Sequence, residues 1–345
     1  MSQALTENPV VPINAPQPVT GERKGLTKKE IAADHPTWCP GCGDFSILAL
    51  YFKLIEKRKL WHEKITTISG IGCSSRFPYF VQAHGAHFLH GRALPFASGV
   101  SLSRPDLHVF AFSGDGDAFS IGGNHFTHTA RKNIKMTLVV MDNQVYGLTK
   151  KQTSPTSPLG FKSKTDTWGA VDYPINPSKQ AIAVGATFVA RTSASNPNHV
   201  LAMMEAAMDH EGFSFVHCLS ECVEFYEGAF DAANPRKGGA FNEIPKTHDV
   251  TDELAAYKLA GADFPGNFGV FYKVNKPTKN AKELEINKAA VQIRRPERLA
   301  DSPKDVRPDE VSLRLFTICS RPGGILISRA PSANRHSGDP GALAG

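Results

Sequence analysis

The arrangement that most constrains this chain is a pair of short, mostly apolar runs a fixed distance apart. Leu107–Phe112 leads into Ser113-Gly114-Asp115-Gly116-Asp117, and Met136–Met141 leads into Asp142-Asn143. Brief apolar runs closed by turn residues predict buried strands of a parallel sheet. Between them, Ala118–Arg131 predicts a crossover helix, so the segment reads as a right-handed βαβ unit. Asn143 follows Gly116 by 27 positions, the length of one helix and one strand. Both acidic turns therefore emerge at the carboxyl edge of the sheet, where open α/β sheets bind ligands.

Other segments extend the pattern. A helix is predicted over Phe45–Lys59, where Ile47, Leu48, Leu50, Tyr51, Leu54 and Ile55 recur with helical spacing. Lys64–Ser69, Ala186–Ala190 and Phe213–Leu219 read as strands, with a helix near His199–Asp209. Residues 147–181 hold many Thr, Ser, Pro and Lys and predict a long loop over a site. The expected fold is α/β, a mostly parallel sheet with helices on both faces. Residues 1–25 read as a flexible arm and 26–230 as the binding domain. Residues 231–345 read as a peripheral arm with a short helix near Val250–Leu259. From about 321 the composition of this tail suits weak order.

Hydrophobic residues make up 41% of 345, enough for a sizeable core. No run of about 18 apolar residues suggests a membrane span. The N-terminus lacks the basic start and apolar stretch of a secretory signal, so a cytoplasmic protein is expected. In such a reducing compartment, six cysteines point to metal ligands or plain thiols rather than disulfides. A net charge of +6 is mild; it suits a solvated surface, or a basic patch for an acidic protein partner. No Lys/Arg run interleaved with aromatics points to nucleic acid.

The acidic turns carry the first chemistry. Small residues around Asp115 let backbone approach a phosphate, and the following helix N-terminus offers free N–H groups. Asp115 repels such a ligand unless a cation intervenes; unit charges about 4 Å apart are worth roughly 4 kcal/mol at an effective dielectric near 20. Magnesium prefers near-octahedral oxygen ligands. Asp115, the Asn143 amide and a backbone carbonyl near Val145 supply three. A lone Gly-Asp-Gly is a common turn, but strand, helix and Asp-Asn at this spacing give it weight. The pattern resembles the thiamine diphosphate fingerprint, and Tyr146-Gly147-Leu148-Thr149 continues it.

The cysteines carry the second. Cys39 and Cys42 lie in Trp38-Cys39-Pro40-Gly41-Cys42-Gly43, Cys73 in Gly70-Ile71-Gly72-Cys73-Ser74-Ser75, and Cys222 in Ser220-Glu221-Cys222-Val223. A thioredoxin-like pair is disfavoured because no strand precedes Cys39. A structural zinc site would want a second pair, and Cys218-x3-Cys222 is an imperfect one. A four-iron cluster wants four thiolates, which can come from distant loops. Cys39, Cys42 and Cys73 stand beside glycines. The fourth is Cys218 or Cys222; Cys218 lies inside a predicted strand, where a buried thiol is ordinary, so Cys222 is preferred. Cys319 reads as an ordinary thiol.

Together these segments resemble the beta subunit of 2-oxoacid:ferredoxin oxidoreductases, over residues 25 to about 230. The blocks are Trp38 to Asp44, Gly70 to Arg76, His90-Gly91-Arg92-Ala93-Leu94-Pro95, Gly114 to Asp117 and Asp142 to Thr149, with Ser220 to Val223 a weaker match. The 2-oxoglutarate (KorB-like) type looks nearest; the tail after 300 is a departure. The resemblance implies the thiamine-diphosphate-binding fold, diphosphate half. It implies thiamine diphosphate contacts from Ile71, Gly72, Cys73, Ser74, Gly116, Asp117, Gly147 and Leu148. Magnesium would sit on Asp115, Asn143 and Val145, and a [4Fe-4S] cluster on Cys39, Cys42, Cys73 and Cys222. The implied activity is coenzyme A-dependent oxidative decarboxylation of a 2-oxoacid, with electrons passing through the cluster to ferredoxin, or the reverse reductive carboxylation of the reductive TCA cycle. 2-Oxoglutarate is the leading substrate. Pyruvate or another 2-oxoacid is an alternative, as is a non-redox thiamine-dependent lyase with structural zinc. An alpha subunit would supply the pyrimidine-binding half and an activating glutamate, in an (αβ)2 heterotetramer.

Arg76 is a candidate clamp for a substrate carboxylate, against a structural salt bridge. His90 and Arg92 are candidates to line the cofactor. His84, His87, His125 and His128 read as structural histidines, and Lys150 and Lys151 as solvated charges.

Overall fold

Hydrophobic alternation along the strands places helices on both faces of a single sheet. The computed structural model describes residues 25–264 and 266–297. In chain order the strands are β1 (Ile65–Ser69), β2 (His84–His87), β3 (His108–Gly114), β4 (Met136–Asp142), β5 (Phe188–Ser193), β6 (Phe213–Leu219), β7 (Asn242–Glu243) and β8 (Asn267–Lys273). The helices are α1 (Lys28–Ile31), α2 (Asp44–Lys57), α3 (Phe77–Phe80), α4 (Ala93–Ser103), α5 (Gly123–Arg131), α6 (Pro177–Ala183), α7 (Pro197–Met208), α8 (Glu253–Ala260) and α9 (Lys279–Glu297). The sheet runs β2-β1-β3-β4-β6-β5-β8-β7. β1 to β6 pair in parallel, and β8 joins β5 antiparallel.

Alternate residues feed two cores. Phe110, Phe112, Val139, Met141 and Val216 pack with Tyr51 of α2, Phe77 of α3 and Met204 of α7. Val109, Ala111, Leu138, Val140 and Phe215 pack on the other side, with Phe126 of α5, Ile182 of α6 and Ala256 of α8. Phe77 stacks on Phe112 with ring centroids 4.1 Å apart. Each such side chain contributes about 1.5–3 kcal/mol by burial, and the two aromatic layers hold β3 and β4 rigid beneath the turns they carry.

The chain leaves β1 toward β2 and leaves β3 toward β4, on opposite sides. The loops after β1 and β3 thus diverge at the switch point of the sheet, where α/β folds bind ligands. The crossover expected as one helix over Ala118–Arg131 has two parts: a π-helical turn at Asp117–Ile121, then α5. Such turns recur at functional sites.

The peripheral arm expected from residue 231 is not peripheral throughout. β8 extends the central sheet, and α8, capped by Asp252 on the Ala255 amide, packs beside it. The Gly269 interruption of β8, with φ 132°, hides that strand from periodicity. Residues expected in the flexible N-terminal arm before 25, the tail after 297 and Cys319 lie outside the described residues. Among the described residues no helix is long and apolar enough to cross a membrane.

Candidate active site

Asp115, Asn143 and Val145 leave the carboxyl ends of β3 and β4. With Ile71, Gly72, Cys73, Ser74, His90, Gly116, Asp117, Gly147 and Leu148 they line one cavity of about 70 Å³. That volume suits the diphosphate end of a cofactor, not the whole molecule. Gly116 is required by close approach, since a Cβ there would meet Tyr146 Cε1 at 2.1 Å.

Asp115 is buried, and its Oδ2 accepts the hydroxyls of Ser154 (2.5 Å) and Thr156 (2.6 Å). Thr156 Oγ1 is also 2.8 Å from Asp142 Oδ1, and His217 Nε2 is 2.8 Å from Asp142 Oδ2. Burial, then the charge of Asp142, raises the Asp115 pKa well above the usual carboxylate range. Two carboxylates so close in a dry site call for a cation, so the residues present fit magnesium. Asn143 Oδ1 accepts the Val145 amide at 3.1 Å, an Asx turn that presents its side chain at the edge.

Asp117, expected as a cofactor contact, lines the cavity and also holds backbone around it. Its Oδ1 accepts the backbone amides of Ile71 (3.1 Å) and Gly91 (2.6 Å), and its Oδ2 accepts the Ser113 hydroxyl (2.5 Å). It is 2% exposed; although it borders the cavity, its carboxylate ties the loops after β1 and β2 to β3. His90 Nδ1 lies 3.0 Å from Asp117 Oδ1, and that carboxylate raises the His90 pKa.

The thiols of 39, 42, 73 and 222 surround the adjoining wall. A Cβ on Gly147 would lie 3.6 Å from Cys222 Sγ, 3.7 Å from Cys73 Sγ and 3.8 Å from Asn143 Nδ2. Gly41, at φ 88°, turns the Cys39–Cys42 hairpin against Val223 beside Cys222. Cys42 is close enough to Cys73 and Cys222, and Cys73 to Cys39, for their charges to interact. Burial raises the Cys42 pKa, and Asp44 adds to it. Burial chiefly, with Asp44 and Cys222, pushes Cys73 up to about 11, while Arg76 opposes. Thiols in this environment ionise when a metal displaces the proton. Among the described residues no three His, Cys, Asp or Glu side chains close around a single metal ion; a cluster would give each thiolate its own iron instead. Cys218 is fully buried within β6 in the apolar core.

Residues within the motif blocks themselves hold this wall. Trp38 Nε1 donates to the Cys73 carbonyl (2.7 Å), and Ser220 Oγ donates to Asp44 Oδ1 (2.6 Å). Burial pushes Asp44 up to about 6. Arg76, a candidate for either a substrate clamp or a structural pair, donates from Nη1 to Thr37 Oγ1 (2.9 Å) and is not part of the cavity lining. Arg92 bonds His125 (2.5 Å) rather than lining the cavity. His87 bonds the Ser75 carbonyl and His128 bonds Arg131. Lys151 lies over the Phe161 ring, and Lys150 is exposed. The expected loop after Gly147 runs to α6. Its Ser154, Thr156 and Ser157 are buried: the first two bond the acidic pair, and the Ser157 hydroxyl donates to the Gln144 carbonyl (2.6 Å).

Residues 70–218 match the C-terminal TPP-binding domain of thiamine pyrophosphate enzymes. The 2-oxoglutarate oxidoreductase subunit KorB of Mycobacterium tuberculosis is 43% identical over 247 residues, 71% of this chain and 64% of that protein, so this chain spans less than two thirds of it. The beta subunit of 2-oxoacid:ferredoxin oxidoreductase 1 of Aeropyrum pernix is 36% identical over 282 residues, 79% of this chain and 86% of that one. A solved chain of the 2-oxoglutarate:ferredoxin oxidoreductase from Magnetococcus marinus, with 2-oxoglutarate, coenzyme A and succinyl-CoA bound, superimposes with a TM-score of 0.75 at 37% identity. It covers 81% of this chain and 98% of its own.

Proposed function

This chain belongs to the beta subunits of the 2-oxoacid:ferredoxin oxidoreductases, and we propose that it is the diphosphate-binding half of a coenzyme A-dependent 2-oxoglutarate oxidoreductase. The observation that carries the reading is Gly147. Two of the candidate cluster thiols and a candidate magnesium-ligand amide all lie within 4 Å of its Cβ position. Electrons released over the diphosphate cavity therefore have thiolates within immediate reach.

Thiamine diphosphate, when bound, supplies the carbanion chemistry that cleaves the bond between the 2-oxo carbon and its carboxylate. The chain's own residues position it. Asp115, the Asn143 amide oxygen and a carbonyl near Val145 would hold magnesium, which would neutralise the charge of the diphosphate. Gly116, Gly147 and Leu148 permit close approach on one side, and Ile71, Gly72 and Ser74 on the other. Asp117 fixes the Ile71 and Gly91 backbone. Cys39, Cys42, Cys73 and Cys222 would hold a [4Fe-4S] cluster, which would supply one-electron redox chemistry toward ferredoxin. His90 lines the cavity beside the Asp117 carboxylate. The small cavity supports a partner: an alpha subunit brings the aminopyrimidine half and its activating glutamate, in a two-fold αβ pair. The enzyme works in the cytoplasm, and the same parts serve reductive carboxylation.

The test is dye reduction by the chain co-expressed with its alpha subunit. Viologen reduction with 2-oxoglutarate that requires coenzyme A and exceeds that with pyruvate supports the reading. Bound thiamine diphosphate without coenzyme A-dependent reduction by any 2-oxoacid overturns it.

A further inference from the structure

A second cavity, about 440 Å³, opens behind Asp142 on the face covered by α6 and α8. Its walls include Asp142, Thr156, Asn176, Arg191, His217 and Asp263. The volume lies in the range of small-molecule sites. Arg191, on β5, is 7% exposed. Its Nε donates to the Asn267 carbonyl at 2.9 Å, and its Nη2 is buried with no hydrogen-bond partner. Among the described residues no carboxylate forms an ion pair with it. Its guanidinium carbon lies 5.6 Å from the Phe268 ring centroid and 5.4 Å from that of Phe271, which fixes the plane of the fork. Burial lowers its pKa to about 10, so it remains charged near neutral pH.

A buried, unpaired guanidinium is among the most unfavourable groups a fold can hold. It is also the group best shaped to receive a planar anion through two parallel N–H bonds. Beside it, burial lowers the His217 pKa; the neutral ring donates from Nε2 to Asp142. The cavity also holds the carboxylates of Asp142 and Asp263, which disfavour a polyanion and favour an occupant with little charge beyond the group Arg191 takes.

We propose that this cavity binds a small organic carboxylate through Arg191, at a site separate from the diphosphate cavity and linked to it by the hydrogen-bonded path His217–Asp142–Thr156–Asp115. Occupancy engages the free guanidinium edge and steadies β5 against β6. Through Asp142 and Thr156 it biases the position of Asp115, so cofactor and carboxylate affect one another's affinity by the same factor.

The test uses the co-expressed complex loaded with magnesium and thiamine diphosphate, titrated with propionate, a monocarboxylate, by calorimetry, and separately with inorganic phosphate. Two variants are compared. Arg191→Gln removes the charge. Ala262→Trp, from an exposed position at the mouth, fills the entrance while leaving the Arg191 side chain in place and keeps the test valid should Arg191→Gln misfold. Wild-type complex binds propionate more tightly than phosphate, and each variant weakens propionate binding by about tenfold or more. Absence of propionate binding to wild type, a preference for phosphate, or unchanged binding in Ala262→Trp overturns the proposal.

Discussion

Replacing Asp117 tests whether the fold, rather than the cofactor, claims that carboxylate. Alanine removes the acceptor of the Ile71 and Gly91 amides. Ser113 Oγ can fall back on the Gly114 carbonyl, 3.3 Å away, so the two amides dominate. A stranded buried donor costs about 1–3 kcal/mol; two give roughly 2–6 kcal/mol, concentrated in the loops after β1 and β2. Amide hydrogen exchange reads this directly. In Asp117→Ala, protection at Ile71 and Gly91 falls roughly thirty-fold or more, following the lower bound of that cost. Thiamine diphosphate affinity falls with it, because Ile71 and Gly72 line the cavity. Asp117→Asn keeps an acceptor for both amides and turns an NH2 toward the Ser113 hydroxyl, which can reverse its role; it loses much less. If Asp117→Ala exchanges like wild type while cofactor affinity collapses, the side chain touches the cofactor and the loop-clamp reasoning is wrong.

Cys222→Ser removes a thiol that faces Cys73 across Gly147 and lowers iron and sulfide per chain, whereas Cys218→Ser, inside the apolar core, leaves both unchanged; the reverse pattern moves the ligand to Cys218. Arg76→Ala, at a guanidinium bonded to Thr37, changes the KM for 2-oxoglutarate and pyruvate alike; a rise confined to 2-oxoglutarate reinstates the carboxylate clamp. The raised pKa of Asp115 also sets a pH dependence. The folded, cofactor-free chain keeps a proton there that the unfolded chain has released, so this group's contribution falls as pH rises from about 4 toward 7. Urea midpoints across that window decline more for wild type than for Asp115→Asn, and magnesium with thiamine diphosphate removes the difference. A steeper decline in Asp115→Asn contradicts the assignment.

Much of this site is legible in the sequence because its ligands sit where strands end. The run Phe213–Leu219 is read to the residue, and Asp115, Asn143 and Cys222 follow their strands directly. What stays hidden depends on contacts between distant segments. Asp117 reads as a continuation of a phosphate turn, and nothing local says that it reaches Gly91. Asp44 and Ser220 are separated by 176 positions. Ser154 and Thr156 look like loop polarity until the carboxylates they bond are placed. β8 escapes notice because Gly269 breaks its pattern, and its antiparallel pairing with β5 completes the sheet that buries Arg191.

The most direct measurement is electron paramagnetic resonance of the anaerobic co-purified complex, frozen after mixing with 2-oxoglutarate. A reduced-cluster signal that appears with 2-oxoglutarate, grows when coenzyme A is added and is absent in Cys73→Ser is the expected result. A complex that retains thiamine diphosphate and consumes 2-oxoglutarate with no cluster signal at any time contradicts the account.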